Sequence, residues 1–447
     1  MTSAPARHDP RTARAVLLAD TSFRWMMLGG AISMLGDQFT LIALPWLVLQ
    51  MTHDALTLGL VIAVMGVPRA IFILVGGALV DRYSPKRVLM LTKYANAFLL
   101  ALLSALVLTG QVTMPLVYVL ALGIGLASAF SIPSGTSMLP NVVAPHQLQM
   151  ANGMMMSMRV LTALAGPLLA GLLIAFSSHG LGDRAGMADA RGLGLAFALD
   201  ALSFAVTIWT LQRVNMHAAA LRAAHEQPRQ RVLAAVGEGL AMAWRDAEMR
   251  SAFIYWGVIS FVVGGTMQVA LPVLASSRLG GTAALGLVMG AHAAGSLAGM
   301  GLSSLKGDFR IGTLGTTLLL VDAVAGVVLM FMGSVGAAWQ AAALMLVLGA
   351  LAGFMQVAVF TWIQRRVPRE MLGRTMSIFM FIILGLAPLA ASLTGLAMQV
   401  LTLTQLFVGA GLFLLLGTFI AFALTPMRVM DDSKSATISP SPSPPDA

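Results

Sequence analysis

Apolar runs of about 20 residues or more, separated by short polar interruptions, dominate the chain, and that is the helix length needed to cross the hydrocarbon core of a bilayer. Twelve runs meet this criterion: 24–50, 56–80, 87–109, 114–138, 151–176, 192–212, 251–276, 284–304, 312–333, 337–362, 375–400 and 403–424. Residues 213–250 break the series with a polar connector that is amphipathic around 232–244. The stretch 439–445 is low-complexity Ser/Pro sequence and is expected to be disordered. The pattern divides the chain into an N-terminal segment (1–23), a six-helix half (24–212), a connector (213–250), a second six-helix half (251–424) and a tail (425–447). Residues 1–22 lack a cleavable-signal pattern, so the first run is expected to act as an uncleaved anchor.

Composition narrows the class. Of 447 residues, 58% are hydrophobic and only 10% charged, against about 25% charged in soluble domains. Too few charges remain to cover a soluble globule, which excludes a cytosolic enzyme, a nucleic-acid-binding domain and a disordered protein. The net charge of +9 then reads as loops facing anionic lipid rather than as a nucleic-acid footprint. With no cysteine in the chain, disulfides, thiolate metal sites and cysteine nucleophiles are excluded. No metal and no cofactor are expected.

Basic residues sort by side. Arg7, Arg11, Arg14, Arg82, Lys86, Arg87, Arg213, Arg222, Arg229, Arg231, Lys306, Arg310, Arg365, Arg366, Arg369 and Arg428 fall on one side. The other side keeps Arg184, Arg191 and Arg278. The positive-inside rule therefore places both termini and the connector in the cytoplasm.

The halves also repeat. Gly77-Ala-Leu-Val-Asp-Arg82 is echoed by Gly301-Leu-Ser-Ser-Leu-Lys306, Pro145-His-Gln-Leu148 by Pro368-Arg-Glu-Met371, Ala43-Leu-Pro45 by Ala270-Leu-Pro272, and Gly166-Pro167 by Ala387-Pro388. Four echoes, in order and at a nearly constant offset of about 224 positions, make a repeat. Both basic loops lie on one side, so the repeat is parallel and each half holds an even number of spans. The fold class follows: an all-α polytopic membrane protein, with twelve transmembrane helices in two parallel six-helix halves that rock about a midplane site.

The loop between spans 2 and 3, Gly77-Ala-Leu-Val-Asp81-Arg82-Tyr-Ser84-Pro-Lys86-Arg87, resembles the signature loop of the major facilitator superfamily, Gly-x-x-x-Asp-Arg/Lys-x-Gly-x-Arg/Lys-Arg/Lys, with Ser84 in place of a glycine. The resemblance implies a conformational latch built from Gly77, Asp81, Arg82, Lys86 and Arg87, with Asp81 meeting the basic loop and the start of span 11. A carboxylate at a helix N-terminus beside arginine is stabilised by both dipole and charge. The alternative is a basic loop that only sets topology. Leu35-Gly-Asp37 through Pro45-Trp46, Val67-Pro68-Arg69, Ala151-Asn152 and Val367-Pro368-Arg-Glu-Met-Leu-Gly373-Arg374 are similar to the enterobactin-exporter and macrolide-efflux branch of that superfamily. Gly166-Pro167-Leu-Leu-Ala-Gly171 resembles part of the antiporter motif of span 5, with Thr162 and Ala170 replacing two of its glycines. Span 4 lacks the arginine that many proton-coupled drug exporters carry before Gly123-Ile-Gly125.

Ionisable residues inside spans cost about 2.5–3.5 kcal/mol to insert and ordinarily face a cavity or a partner. Asp37 lies ~20 Å and Arg69 ~16 Å from the cytoplasmic ends of their spans at helical rise. They are candidates for proton coupling, as a pair at the edge of the transport cavity; the alternative is a permanent pair fixing spans 1 and 2. Asp200 and Asp322 fall in spans that the resemblance places at the periphery, where structural hydrogen bonding is expected. Arg159 reads as reaching the interface, and the lone His292 as a packed or bonded side chain. Gln38, Gln268 and Gln356, with Met34, Met267 and Met355, are candidates to line the substrate cavity in spans 1, 7 and 10. Amides orient a ligand there and thioethers adapt to its shape. Gly295-Ser-Leu-Ala-Gly299 and Gly349-Ala-Leu-Ala-Gly353 read as close-packing points.

The function expected is secondary active export of a small amphipathic molecule, drug-like or siderophore-like, by alternating access and proton antiport. The partners are then substrate, protons and lipid, and the protein is a monomer in a bacterial inner membrane. Proton-coupled uptake, lysolipid flipping, an intramembrane enzyme and a non-transporting sensor are the alternatives. The chain carries no His-Glu-x-x-His, no Gly-x-Ser-x-Gly and no Walker-type phosphate loop.

Overall fold

The apolar runs fold as helices α1 (Thr21–Thr52), α2 (Ala55–Arg82), α3 (Pro85–Leu108), α4 (Met114–Val142), α5 (Leu148–Ser178), α6 (Ala190–Gln212), α7 (Ala247–Ser277), α8 (Thr282–Leu305), α9 (Leu314–Met332), α10 (Ala338–Arg366), α11 (Arg369–Gly385, then Ala387–Ala397) and α12 (Leu403–Leu424). This is a computed structural model describing residues 17–82, 84–178, 190–216, 237, 240–241, 244–305 and 310–431. Side chains are described for all of these except 73–82, 145, 178, 305, 369–370, 373–374, 377 and 384. All twelve expected spans are present, with ends within about one or two turns of those read from the sequence. Most of the amphipathic stretch at 232–244 and the whole of the 439–445 tail lie outside the described residues.

Local chemistry sets the ends. Asp20 caps α1 by accepting from the Phe23 N–H at 2.9 Å. Thr402 and Gln405 form a reciprocal capping box at the start of α12. Two helices depart from uniform α geometry. In α7 a π segment, Thr266–Ala270, separates Ala247–Gly265 from Leu271–Ser277, and α11 is interrupted at Leu386. Each irregularity lies just before a proline, Pro272 or Pro388, whose ring removes an N–H and crowds the carbonyl four residues back. The repeat-related Pro45 and Pro167 sit inside unbroken α-helices.

Both halves pack by one scheme. The pairs α1–α5, α2–α4 and α3–α6 in the first correspond to α7–α11, α8–α10 and α9–α12 in the second. Glycines bring α8 and α10 to backbone contact: Gly295 and Gly299 lie on Leu346 and Ala350, and Gly349 and Gly353 on His292 and Ser296. The glycine repeats therefore serve close packing.

The halves meet mainly through α5–α8 and α2–α11. Gly171 lies against Thr282 and Gly286, Gly286 against Pro167, Gly59 against Ala391, and Gly395 against Ala55 and Leu56. All four contacts belong to the end of the bundle opposite the termini. The apolar core is distributed accordingly. At that far end one cluster joins both halves, from Phe39–Leu49 through Val269–Leu274 to Phe407. At the terminal end it divides, into one cluster around Phe23, Met138 and Leu211 in the first half and another around Trp256, Trp362 and Phe379 in the second. Among the described residues, the core is thus shared between the halves at the far end and separate in each half toward the termini.

Candidate transport site

Near the middle of α1, one turn after another presents polar groups to neighbouring helices. Ser33 accepts a hydrogen bond from Lys93 Nζ on α3 at 2.8 Å, and Gly36 lies against Asp200 and Ser203 on α6. Gln38 lies against Gly166 on α5, and the Thr40 hydroxyl donates to Asp200 Oδ2. Asp37 lies among them, exposed, with Lys93 and Arg69 within Coulombic reach. Among the described residues no contact ion pair joins Asp37 to Arg69, although each feels the other's charge. The expected pair is thus part of a wider group of two carboxylates, Asp37 and Asp200, and two cations, Arg69 and Lys93.

Asp200 is only 1% exposed. Besides Thr40, it accepts from the Ser203 hydroxyl at 3.2 Å, and both Asp37 and Lys93 lie within its electrostatic reach. Hydrogen bonding fits the structural role expected of it, but it is also a neighbour of the site. The sequence reading passed over Lys93 altogether. A lysine near the end of an apolar run reads as an interfacial side chain, and the signal that distinguishes it, Ser33 and Phe204 on other helices, is not local in sequence.

The remaining candidates are dispersed. Gln268 and Met267 lie half-buried in the π segment of α7, and Met267 packs on the shared core. Gln356 is exposed on α10 while Met355 packs on the core of the second half, and Met34 is half-buried on α1. Pro167 and Gly171 form the α5 contact with α8. Arg159 is exposed near the start of α5. His292 is half-buried between α8 and α10 and bonds to the Met345 backbone. Asp322 is hydrogen-bonded by Tyr255 at 2.9 Å.

The side chains of Gly77, Asp81 and Arg82 lie outside the described residues. Arg87 is exposed, whereas Lys86 Nζ donates to the carbonyls of Val214 at 2.7 Å and Gln212 at 3.4 Å, holding the chain that leaves α6 against the start of α3. In the second half Arg310, 224 positions after Lys86, pairs with Asp431 at 2.9 Å, and Thr313 and Gly315 bond to the chain leaving α12. Also at the terminal end, Arg366 at the end of α10 binds Asp246 at 2.5 Å and Glu248 at 2.8 Å at the start of α7. Burial opposes ionisation of Asp246, but bonds from Arg366 and from the Met249 and Glu248 N–H groups outweigh it and hold its carboxyl below the usual range.

The family model described as Major Facilitator Superfamily matches residues 26–392. The chain is 24% identical over 361 residues to the enterobactin exporter EntS of Salmonella choleraesuis (strain SC-B67), covering 80% of this chain and 81% of that one. It is 26% identical over 406 residues to the multidrug efflux pump Tap of Mycolicibacterium fortuitum, covering 89% and 94%. Among solved structures it resembles the nucleoside transporter NupG, with a TM-score of 0.67 at 14% identity over 90% of this chain and 98% of that one. It also resembles a bacterial homologue of the iron transporter ferroportin in an inward-facing state, with a TM-score of 0.62 at 16% identity over 89% and 98%.

Proposed function

The chain belongs to the major facilitator superfamily, and from that membership we propose that it is a secondary active exporter of a small amphipathic molecule, drug-like or siderophore-like, driven by proton antiport. As a member it is a multi-pass membrane transporter of small molecules rather than an enzyme. Export draws support from relatives that are an enterobactin exporter and a multidrug efflux pump. The observation that carries alternating access is the distribution of the core, one shared cluster at the far end and two separate ones at the terminal end. A body sealed at one end and divided at the other is one of the two states such a cycle requires. On the basic-residue bias, both termini lie in the cytoplasm of a bacterial inner membrane and this state opens inward. The protein works as a monomer, since each chain holds both halves.

Proton coupling rests on Asp37, an exposed carboxylate midway along an inner helix with two cations in reach. A carboxylate so placed binds a proton or a cationic substrate group in alternation. Everted vesicles provide the test, with compounds chosen by a resistance screen in cells lacking or overproducing the protein. Adding an exported compound is expected to dissipate part of an imposed pH gradient. Export of such compounds with no proton movement overturns antiport, and release of a preloaded compound from the everted vesicles together with protons overturns the direction.

A further inference from the structure

Lys93 lies about two turns into α3, from where a membrane lysine ordinarily extends toward the interface. Here it crosses sideways instead. Its ammonium donates to Ser33 Oγ on α1 at 2.8 Å and sits 4.5 Å from the centroid of the Phe204 ring on α6. Cation–π and hydrogen-bond contacts together hold it between three helices. Two carboxylates share its field. Asp200 is sealed behind α1 by the hydroxyls of Thr40 and Ser203, while Asp37 is exposed.

Among the described residues few other charged groups surround this cluster, and Arg159 on α5, which packs on α1, is exposed and does not act on Asp37. Arg69 on α2 acts on Asp37. Tyr118, the one ionisable residue of α4, faces Asp54 and Thr57 at the far end. With both acids ionised and both bases charged the cluster is neutral, and one added proton makes it cationic. Asp200 is buried and Lys93 half-buried, so charge imbalance in the cluster is costly, and the cation count decides how readily Asp37 gives its proton up.

We propose that Lys93 is the positioning residue that sets the pH at which Asp37 exchanges its proton, anchored for that purpose by Ser33, Phe204 and the buried Asp200. The inference deepens the antiport reading, since it rests on Asp37 as the proton carrier.

Infrared titration of the purified protein reads this without substrate or gradient. The protonated-carboxyl band that disappears in Asp37→Asn reports Asp37. Replacing Lys93 by Met is expected to displace the titration of that band toward alkaline pH by about one unit or more, the usual effect of losing a neighbouring opposite charge. Lys93→Arg, which keeps the charge, is expected to return it to near the wild-type position; Lys93→Gln substitutes for the Met variant if that protein is not recovered folded. Coincident titration in wild type and Lys93→Met, or equal displacement in the Arg and Met variants, overturns the role of Lys93 alone. A band that titrates in no variant overturns Asp37 as the carrier. Vesicles without proton movement, beside a displaced band, overturn antiport while leaving the electrostatic role standing.

Discussion

Each half buries a carboxylate among its first, third and sixth helices, and the two sites differ in what surrounds it. In the second half Asp322 on α9, 8% exposed, accepts from Tyr255 on α7 at 2.9 Å, and that hydroxyl lies 3.0 Å from Thr418 on α12. No basic group acts on it among the described residues. In the first half Asp200 on α6 meets Thr40 on α1 and the field of Lys93 on α3, and the group extends through Asp37 and Arg69. The same three-helix junction is thus a closed tie without a basic partner among the described residues in one half and a four-charge group with an exposed carboxylate in the other. Helix irregularity is distributed the opposite way, since the π segment and the interruption of α11 both lie in the second half. The charged group therefore lies in one half and the helix irregularities in the other.

Exchanging the two acids for amides probes this separation most severely. Asp37→Asn is expected to lower coupled export on the order of 100-fold, the scale of losing a positioned proton-transfer group, with undiminished folded protein in the membrane. Asp322→Asn is expected to keep coupling and lose thermal stability, because Tyr255 then faces a weaker acceptor. Transport assays beside melting curves check both. If Asp37→Asn exports normally against a gradient, the first-half site is as structural as the second.

A smaller effect tests the bending. Pro388 follows the interruption of α11 and lies against Gly66 on α2, while its echo Pro167 lies in unbroken α5 against Gly286. Pro388→Ala lets α11 close its hydrogen bonds across Leu386. If about 1 kcal/mol of that gain opposes bending during the cycle, turnover falls about fivefold. Pro167→Ala is expected to change turnover less. Equal effects on transport rate would show that the interruption in α11 is not a hinge. The chain has no native cysteine, so single introduced thiols at the far end can report its opening in both variants.

The architecture was legible because hydrophobic length, basic-residue side and the internal echoes are properties of the linear chain. The site was legible only in part. Asp37 and Arg69 were singled out because charge within an apolar run is conspicuous. Lys93 was missed because a helix apolar on all sides does not encode which face meets which neighbour, and Asp200 was read as peripheral because the resemblance places span 6 there. The contacts of Lys93 with Ser33 and Phe204 depend on helix rotation, which tertiary packing alone determines. The echo of Ala43-Leu-Pro45 in Ala270-Leu-Pro272 likewise did not reveal that only the second copy follows a π segment.

At the terminal end, Arg366 bridges α10 to Asp246, which also caps α7. Asp246→Ala removes both the cap and a charge-assisted bond, and a loss of about 1–3 kcal/mol is expected. The pH dependence has a definite sign. The Asp246 carboxyl is held below its ordinary range in the folded protein, so its stabilising contribution is complete above about pH 4 and disappears as the pH falls through the folded value. Thermal unfolding of wild type and Asp246→Ala should therefore converge at acid pH. Curves that stay parallel down to acid pH would mean that the ion pair adds little beyond the cap.

The least effect is expected where the two halves turn at the far end. Between α1 and α2, Asp54 accepts from the Thr57 N–H at 2.9 Å, its hydroxyl at 2.6 Å and the Leu56 N–H at 3.2 Å. Burial pushes against its ionisation, but these bonds prevail and keep the carboxyl below the usual range. The corresponding turn between α7 and α8 has no acid. It relies on Gly280 and Gly281, at φ of 86° and 115°, while Arg278 reaches across to the Gly333 carbonyl at 2.8 Å and to Thr404 at 3.1 Å. One turn is stabilised by capping its own helix and the other by tying α7 to α9 and α12. Asp54→Ala should therefore cost about 1 kcal/mol and act locally, whereas Arg278→Gln loosens three helix ends at once. Hydrogen exchange separates the two, with faster exchange confined to the first turn of α2 in one variant and spread over the ends of α7 and α9 and the start of α12 in the other. Matching patterns in the two variants would mean that the far end behaves as one rigid seal, whichever half supplies the contact.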